Sequence, residues 1–175
     1  KIPYIKMRAC AYTWIISNNA KTVERLKMPL KYVASKFSSW KLIKYARENE
    51  IDIIHENTSA CYIGAFVARY LKIPHVWHIR EFLEEDFNAS FWWKKNALRM
   101  INQSYAVITV SNAISKKYEG KIRKDLIHRI YNGIDIENFF CQKPKYRLDE
   151  CCNILCVGRV CEGKGQADVI RALAI

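Results

Sequence analysis

The sequence predicts an α/β fold built on a parallel, doubly wound sheet. Three observations predict it. Short runs rich in β-branched and aromatic residues recur at 52–55, 75–79, 105–110 and 127–131, the composition of strands buried on both faces. Segments with helical apolar spacing separate them, as crossovers between parallel strands require. Polar residues gather just after each run: Glu56 and Asn57, then His78, Arg80 and Glu81, then Ser111 and Asn112, then Asn132 and Gly133. In such sheets ligands bind at the carboxyl ends of the strands.

Each element has a local reason. Tyr4 to Met7 reads as a short strand, and Ala9 to Ser17 is apolar and aromatic without a clear period. From Lys31 to Asn49 apolar residues fall at Val33, Phe37, Trp40, Ile43 and Ala46, the spacing of one helix face, with lysines opposite. Ser59 is a candidate cap for the next helix, which Ile73-Pro74 stops after Leu71. Phe91 to Gln103 is helical in pattern, and Tyr105 to Val110 has strong β-propensity. Ser111 is positioned to cap a helix through Tyr118, and Asn132-Gly133 is a turn signal after the last run.

Composition narrows the function classes. The 175 residues carry 29 Lys and Arg against 17 Asp and Glu, a formal charge of +12. Such a chain seeks anionic partners: phosphorylated substrates, an anionic membrane surface or nucleic acid. Nucleic acid is not expected, because the lysines are dispersed and no helix-turn-helix, zinc-finger or aromatic RNP signature is present. The seven cysteines never form Cys-x-x-Cys, so neither a zinc site nor a disulfide framework is read, and a reducing compartment is expected. The Asn-x-Ser/Thr matches at Asn57, Asn88 and Asn102 are read as chance. No apolar run approaches the ~18 residues of a spanning helix. Glu84-Glu85-Asp86 is read as a solvated acidic loop rather than a metal site, with surface ion pairing as the fate of Arg80 beside it.

The last quarter carries the most specific chemistry. An apolar strand, Ile154-Leu155-Cys156-Val157, runs into Gly158-Arg159. Glu162-Gly163-Lys164-Gly165 follows, and then a helix-like run from Gln166 to Ile175. Glycines let a backbone approach a ligand closely, and a helix start offers unpaired N–H groups with the positive end of its dipole. Arg159 offers a bidentate fork and Lys164 a point charge. That is an anion site. Together with Asn132-Gly133-Ile134-Asp135, these residues resemble the family-4 glycosyltransferases of the GT-B fold. In that family a strand ending in Val-Gly-Arg and a following Glu-Lys-Gly open the nucleotide-sugar domain. Here Gly163 separates the Glu from the Lys and leaves the Arg159-to-Lys164 spacing typical. The resemblance runs back through Val107-Ile108-Thr109-Val110-Ser111, His75-Val76-Trp77-His78-Ile79-Arg80-Glu81 and Asp52-Ile53-Ile54-His55, and covers roughly residues 30 to 175.

The resemblance implies a Rossmann-like acceptor-side domain over residues 1–148 and the first strand and helix of a nucleotide-sugar domain over 149–175. It implies transfer of a sugar from a nucleotide-diphosphate donor to a glycan or lipid-linked acceptor, with retention and without an essential metal or other cofactor. His78 maps to the histidine beside the donor sugar. Arg159, Lys164, Gly158 and Gly165 would bind the donor diphosphate, and Glu81 and Asn132 would contact substrate. His55 and His75 are read as structural. Phe91-Trp92-Trp93-Lys94-Lys95 combines aromatics with cations, a pattern suited to a lipid interface, so a cytoplasmic protein peripheral to the inner membrane face is expected. The family's glycine-rich loop and paired glutamates fall outside the sequence. The chain is therefore expected to be cut at both ends and inactive alone. The alternatives are another GT-B enzyme, such as a sugar-nucleotide epimerase, and a basic module that binds anionic lipid or nucleic acid.

Overall fold

The computed structural model describes residues 14–139, 153–161 and 164–174. The chain divides into two compact units, Lys1–Asn132 and Gly133–Ile175. The expected strand at Tyr4 to Met7 and the expected domain boundary at 148–149 lie outside the described residues.

The first unit opens with β1 (Ile15–Ser17), α1 (Thr22–Leu26), α2 (Met28–Ser38) and α3 (Trp40–Glu48). β2 (Ile54–Glu56), α4 (Ile63–Leu71) and β3 (His75–Ile79) follow. Next come α5 (Leu83–Phe87), β4 (Ala89–Phe91), α6 (Lys94–Asn102), β5 (Ala106–Thr109), α7 (Asn112–Tyr118), a 3-10 turn (Lys124–Leu126) and β6 (Ile127–Arg129). The main sheet has the order β2-β3-β5-β6. Each of its three strand pairs is parallel, with Trp77 opposite Glu56 and Val107, and Ile108 opposite His78 and His128. A separate ribbon pairs β1 with β4 antiparallel; sequence patterning did not show it, because both strands are three residues long.

Strand order explains where the helices go. The chain adds strands steadily in one direction, and right-handed crossovers then place every connecting helix on the same face. The core confirms it: Trp77, Ile79 and Val107 from the sheet pack with Ala97, Ile101, Ile114 and Tyr118 from α6 and α7. The opposite face carries His55, Val76, His78, Ala106, Ile108 and Val110, all half-buried or exposed. The sheet is parallel as expected, but among the described residues its helices cover one face, not two.

The expected single helix from Lys31 to Asn49 is two helices meeting at Ser39. Its expected inner face is also rotated. Ile43 and Ala46 are buried, but Val33, Phe37 and Trp40 are exposed, Phe37 at 69%. Met28, Ser35 and Ser39 point inward instead. The serine hydroxyls tolerate burial because they bond within the helix: Ser35 Oγ donates to the Tyr32 carbonyl at 2.8 Å and Ser39 Oγ to the Lys36 carbonyl at 2.6 Å. Such back-bonding also bends helices, which fits the break at Ser39.

Two caps place the loops. Ser111 Oγ accepts from the Ile114 amide at 3.2 Å and starts α7 as expected. At α4 the cap is not Ser59. The buried carboxylate of Glu56 accepts from Gly64 N at 3.0 Å and Ala65 N at 3.3 Å, so an acid at the end of β2 sits on the positive end of the helix. Its second contact is His75 Nε2, 3.1 Å away and also buried. His75 is structural, as expected.

The second unit contains α8 (Ile136–Phe139) and α9 (Gln166–Leu173). The strand expected from Asn153 to Val157 does not form; among the described residues no strand pairs with it, and Leu155 is 86% exposed. No helix among the described residues is long and apolar enough to cross a membrane.

Candidate functional site

The carboxyl ends of the parallel strands bring His78, Arg80, Asn57 and Asn132 together. His78 is the next-to-last residue of β3, and its ring stacks on His55 of β2 at 5.3 Å with 13° between planes. The alternation of the two strands forces this, since register sets His55 beside Val76 and leaves His78 one step along the same face. His78 Nε2 is buried without a partner among the described residues. Burial first, and then the nearby His55 and Arg80, hold its imidazole below the usual pKa of 6.5, with Glu81 opposing. His78 is therefore neutral at pH 7. It offers a hydrogen bond rather than a charge.

Arg80 reaches along the sheet edge. Its Nη1 donates to Asn57 Oδ1 at 3.4 Å and its Nη2 to Asn132 Oδ1 at 3.2 Å. Asn132 thus lies at this end of the sheet, with its amide oxygen engaged by Arg80. Sequence reasoning sent Arg80 to Glu84 or Asp86. Those acids have other partners: Glu84 and Glu85 hold Lys117 Nζ at 2.6 and 2.5 Å, and Asp86 accepts from the Phe82 amide at 2.8 Å. Burial works against the Lys117 charge, but these carboxylates outweigh it and raise its pKa.

Glu81 sits next to the site but faces its own fold. Its Oε1 accepts from Thr58 Oγ1 at 2.8 Å, Ser59 N at 2.6 Å and Ser59 Oγ at 2.8 Å. The carboxylate ties the loop after β2 to the end of β3, and that loop carries Asn57. At the far edge, Arg129 Nη1 donates to Asn112 Oδ1 at 2.5 Å and its guanidinium lies 4.8 Å over the Tyr131 ring. His55 and Arg80 are the site residues that sequence reasoning set aside. The signal that finds them is position: His55 shares the face of His78, and Arg80 directly follows β3.

Gly158, Arg159, Lys164 and Gly165 belong to the second unit and form a loop before α9. Gly165 has φ +72°, a left-handed conformation that disfavours a side chain, and its carbonyl accepts from the amides of Asp168 and Val169 at 3.0 and 3.1 Å. Lys164 N donates to the Cys161 carbonyl at 3.0 Å, and Gln166 Nε2 donates to the Arg159 carbonyl at 3.0 Å. The Arg159 and Lys164 side chains are exposed, and no ion pair engages them among the described residues. A Cβ on Gly158 would meet only Gln166 Nε2, at 3.5 Å.

Other candidate chemistry is weak. Burial first, and then the charge of Glu56, push the Cys61 thiol up to about 12, so it is neither a thiolate ligand nor a nucleophile at neutral pH. Among the described residues no three His, Cys, Asp or Glu side chains are placed to hold a metal ion. A cavity of about 590 Å³ lies at the amino ends of the strands, lined by Lys72, Pro74, His75 and Tyr105 among others. It is at the wrong end of a parallel sheet for a ligand site.

The family described as Glycosyltransferase Family 4 matches residues 16–138, well over half of the chain. The chain belongs to glycosyltransferase family 4. Its parallel sheet is the Rossmann-like architecture of that family's GT-B fold. No curated protein matches the chain. Three solved structures of Anabaena Alr3699/HepE are similar, in complexes with UDP-glucose, with UDP, and with UDP and glucose. Each is 27% identical with a TM-score of 0.46, covering 57% of this chain and 27–28% of the other. This family-4 chain thus spans less than a third of the length of those proteins.

Proposed function

We propose that the protein transfers a sugar from a nucleotide-diphosphate donor to a glycan or lipid-linked acceptor, with retention of anomeric configuration. The observation that carries this reading is His78: a neutral imidazole with a free nitrogen at the carboxyl edge of the sheet, in a chain of family 4. His78 would orient the donor sugar by hydrogen bonding. Arg159 and Lys164 would stabilise the leaving diphosphate, with Gly158 and Gly165 allowing close backbone approach. That electrostatic role replaces the one a metal fills elsewhere, so no essential metal or other cofactor is part of the proposal. Glu81 supports the site by holding the loop that presents Asn57. The acceptor-side domain is taken as residues 1–148 and the nucleotide-sugar domain as beginning at 149.

A lipid-linked acceptor places the enzyme on the cytoplasmic face of a membrane. The +12 charge supports this. So does Trp93, 50% exposed, while Trp92 packs edge-on to Tyr32. The outward residues Leu30, Val33 and Phe37 add an exposed apolar stripe at helical spacing on α2, with exposed Leu26 and Trp40 at the ends of the neighbouring helices.

His78 supplies the test. Because its pKa lies below 6.5, turnover should stay level through neutral pH and fall only as acid protonates the imidazole. Stability follows the same sign: it is full above the unfolded value and declines as pH falls toward the folded one. His55→Ala removes one of the groups that oppose protonation. The acid limb of the turnover profile, and the NMR titration of His78, should both move toward 6.5. A His78→Ala enzyme with normal turnover and an unchanged profile would refute the role.

A further inference from the structure

We propose that Arg80 is an anion subsite on the first unit that binds a phosphate group of one of the two substrates. The proposal rests on the transferase reading only for the source of the phosphate. Three observations carry it. Arg80 is a cation without an ion pair among the described residues, although acids surround it in sequence. Glu81 is taken up by Thr58 and Ser59, Glu84 and Glu85 by Lys117, and Asp86 by a backbone amide. The partners of the Arg80 guanidinium, the amide oxygens of Asn57 and Asn132, fix its plane without neutralising its charge, while the Glu81 carboxylate accepts from Arg80 only at its backbone amide, at 3.2 Å. A guanidinium has five N–H donors, and each amide oxygen takes one. The remaining donors and the whole positive charge are left for a ligand. Finally, Arg80 directly follows β3, two residues beyond His78 and close enough for its charge to act on that imidazole, which has a free nitrogen.

A phosphate is the complement of this arrangement. Its oxygens match a planar fork, and a fork held in advance loses less freedom on binding. Lysine at this position would bring charge but not the fork. The phosphate has two possible sources: the donor diphosphate or a phosphate on a lipid-linked acceptor.

The test titrates the protein with methyl phosphate and, separately, with UDP, reading the Arg80 side-chain N–H resonance together with overall affinity. Wild type should show saturable methyl phosphate binding at that resonance. Arg80→Gln should weaken methyl phosphate at least tenfold, and Arg80→Lys should fall between the two. Asn132→Asp keeps Arg80 but sets a carboxylate against it, and should also cost at least tenfold. UDP binding that is unchanged in Arg80→Gln but weakened in Arg159→Gln assigns the subsite to the acceptor phosphate. UDP binding weakened tenfold in Arg80→Gln assigns it to the donor. If Arg80→Gln and Asn132→Asp bind both probes as wild type does, the proposal is overturned. Failure of sugar transfer would leave the methyl phosphate result untouched, so the two readings fail separately.

Discussion

Replacing Trp77 by alanine is expected to destabilise the protein by about 3–5 kcal/mol, the range for truncating a large buried aromatic. Trp77 is fully buried in the middle of β3. Its ring stacks on Trp14 at 5.4 Å and 9°, and meets His75 edge-on at 4.9 Å. Trp14 in turn donates its indole N–H to the Ser59 carbonyl at 2.9 Å, which ties the ribbon strand to the site loop. The alanine variant therefore leaves a cavity where the ribbon, the sheet and the site loop converge. Trp77→Phe should cost clearly less. It keeps an aromatic ring, and it removes an indole N–H that has no partner among the described residues. Denaturant unfolding of the two variants checks both statements. Equal losses would show that ring volume alone does not govern this position.

Arg159→Ala and Lys164→Ala in the intact enzyme should each cost about 2–4 kcal/mol of transition-state stabilisation, the range for removing a group that stabilises developing charge. Neither change should disturb folding, because both side chains are exposed and without ion pairs among the described residues. The effect should fall on turnover more than on donor affinity, since the diphosphate gains charge as the glycosidic bond breaks. Steady-state kinetics with unchanged melting behaviour is the check. Near-normal turnover in the double variant would remove the loop from the mechanism.

Much of the fold was legible because parallel strands announce themselves. The runs at 75–79 and 127–131 locate β3 and β6 within two residues, and Asp52 to His55 locates β2, because these strands draw on β-branched and aromatic side chains. Ser111 and Lys72 bound their helices where caps and stops were expected. What stayed hidden has a common cause: satisfied polar groups look like surface in a sequence. Ser35 and Ser39 face inward because their hydroxyls are bonded locally, and the reading that kept apolar residues inside put Val33 and Phe37 on the wrong side. Glu81 read as a substrate contact because nothing in the sequence shows Thr58 and Ser59 closing on it. Arg80 read as one half of a surface ion pair because its acids are near in sequence. In space Lys117, 37 positions on, takes two of them.

The most direct test of sugar transfer is the fate of labelled sugar supplied as a nucleotide-diphosphate donor to the intact protein and washed membranes. The account predicts that label leaves the nucleotide for a glycan or lipid fraction, with one nucleoside diphosphate released for each sugar moved. Label that stays on the nucleotide as an epimerised sugar, with no nucleoside diphosphate released, would contradict it.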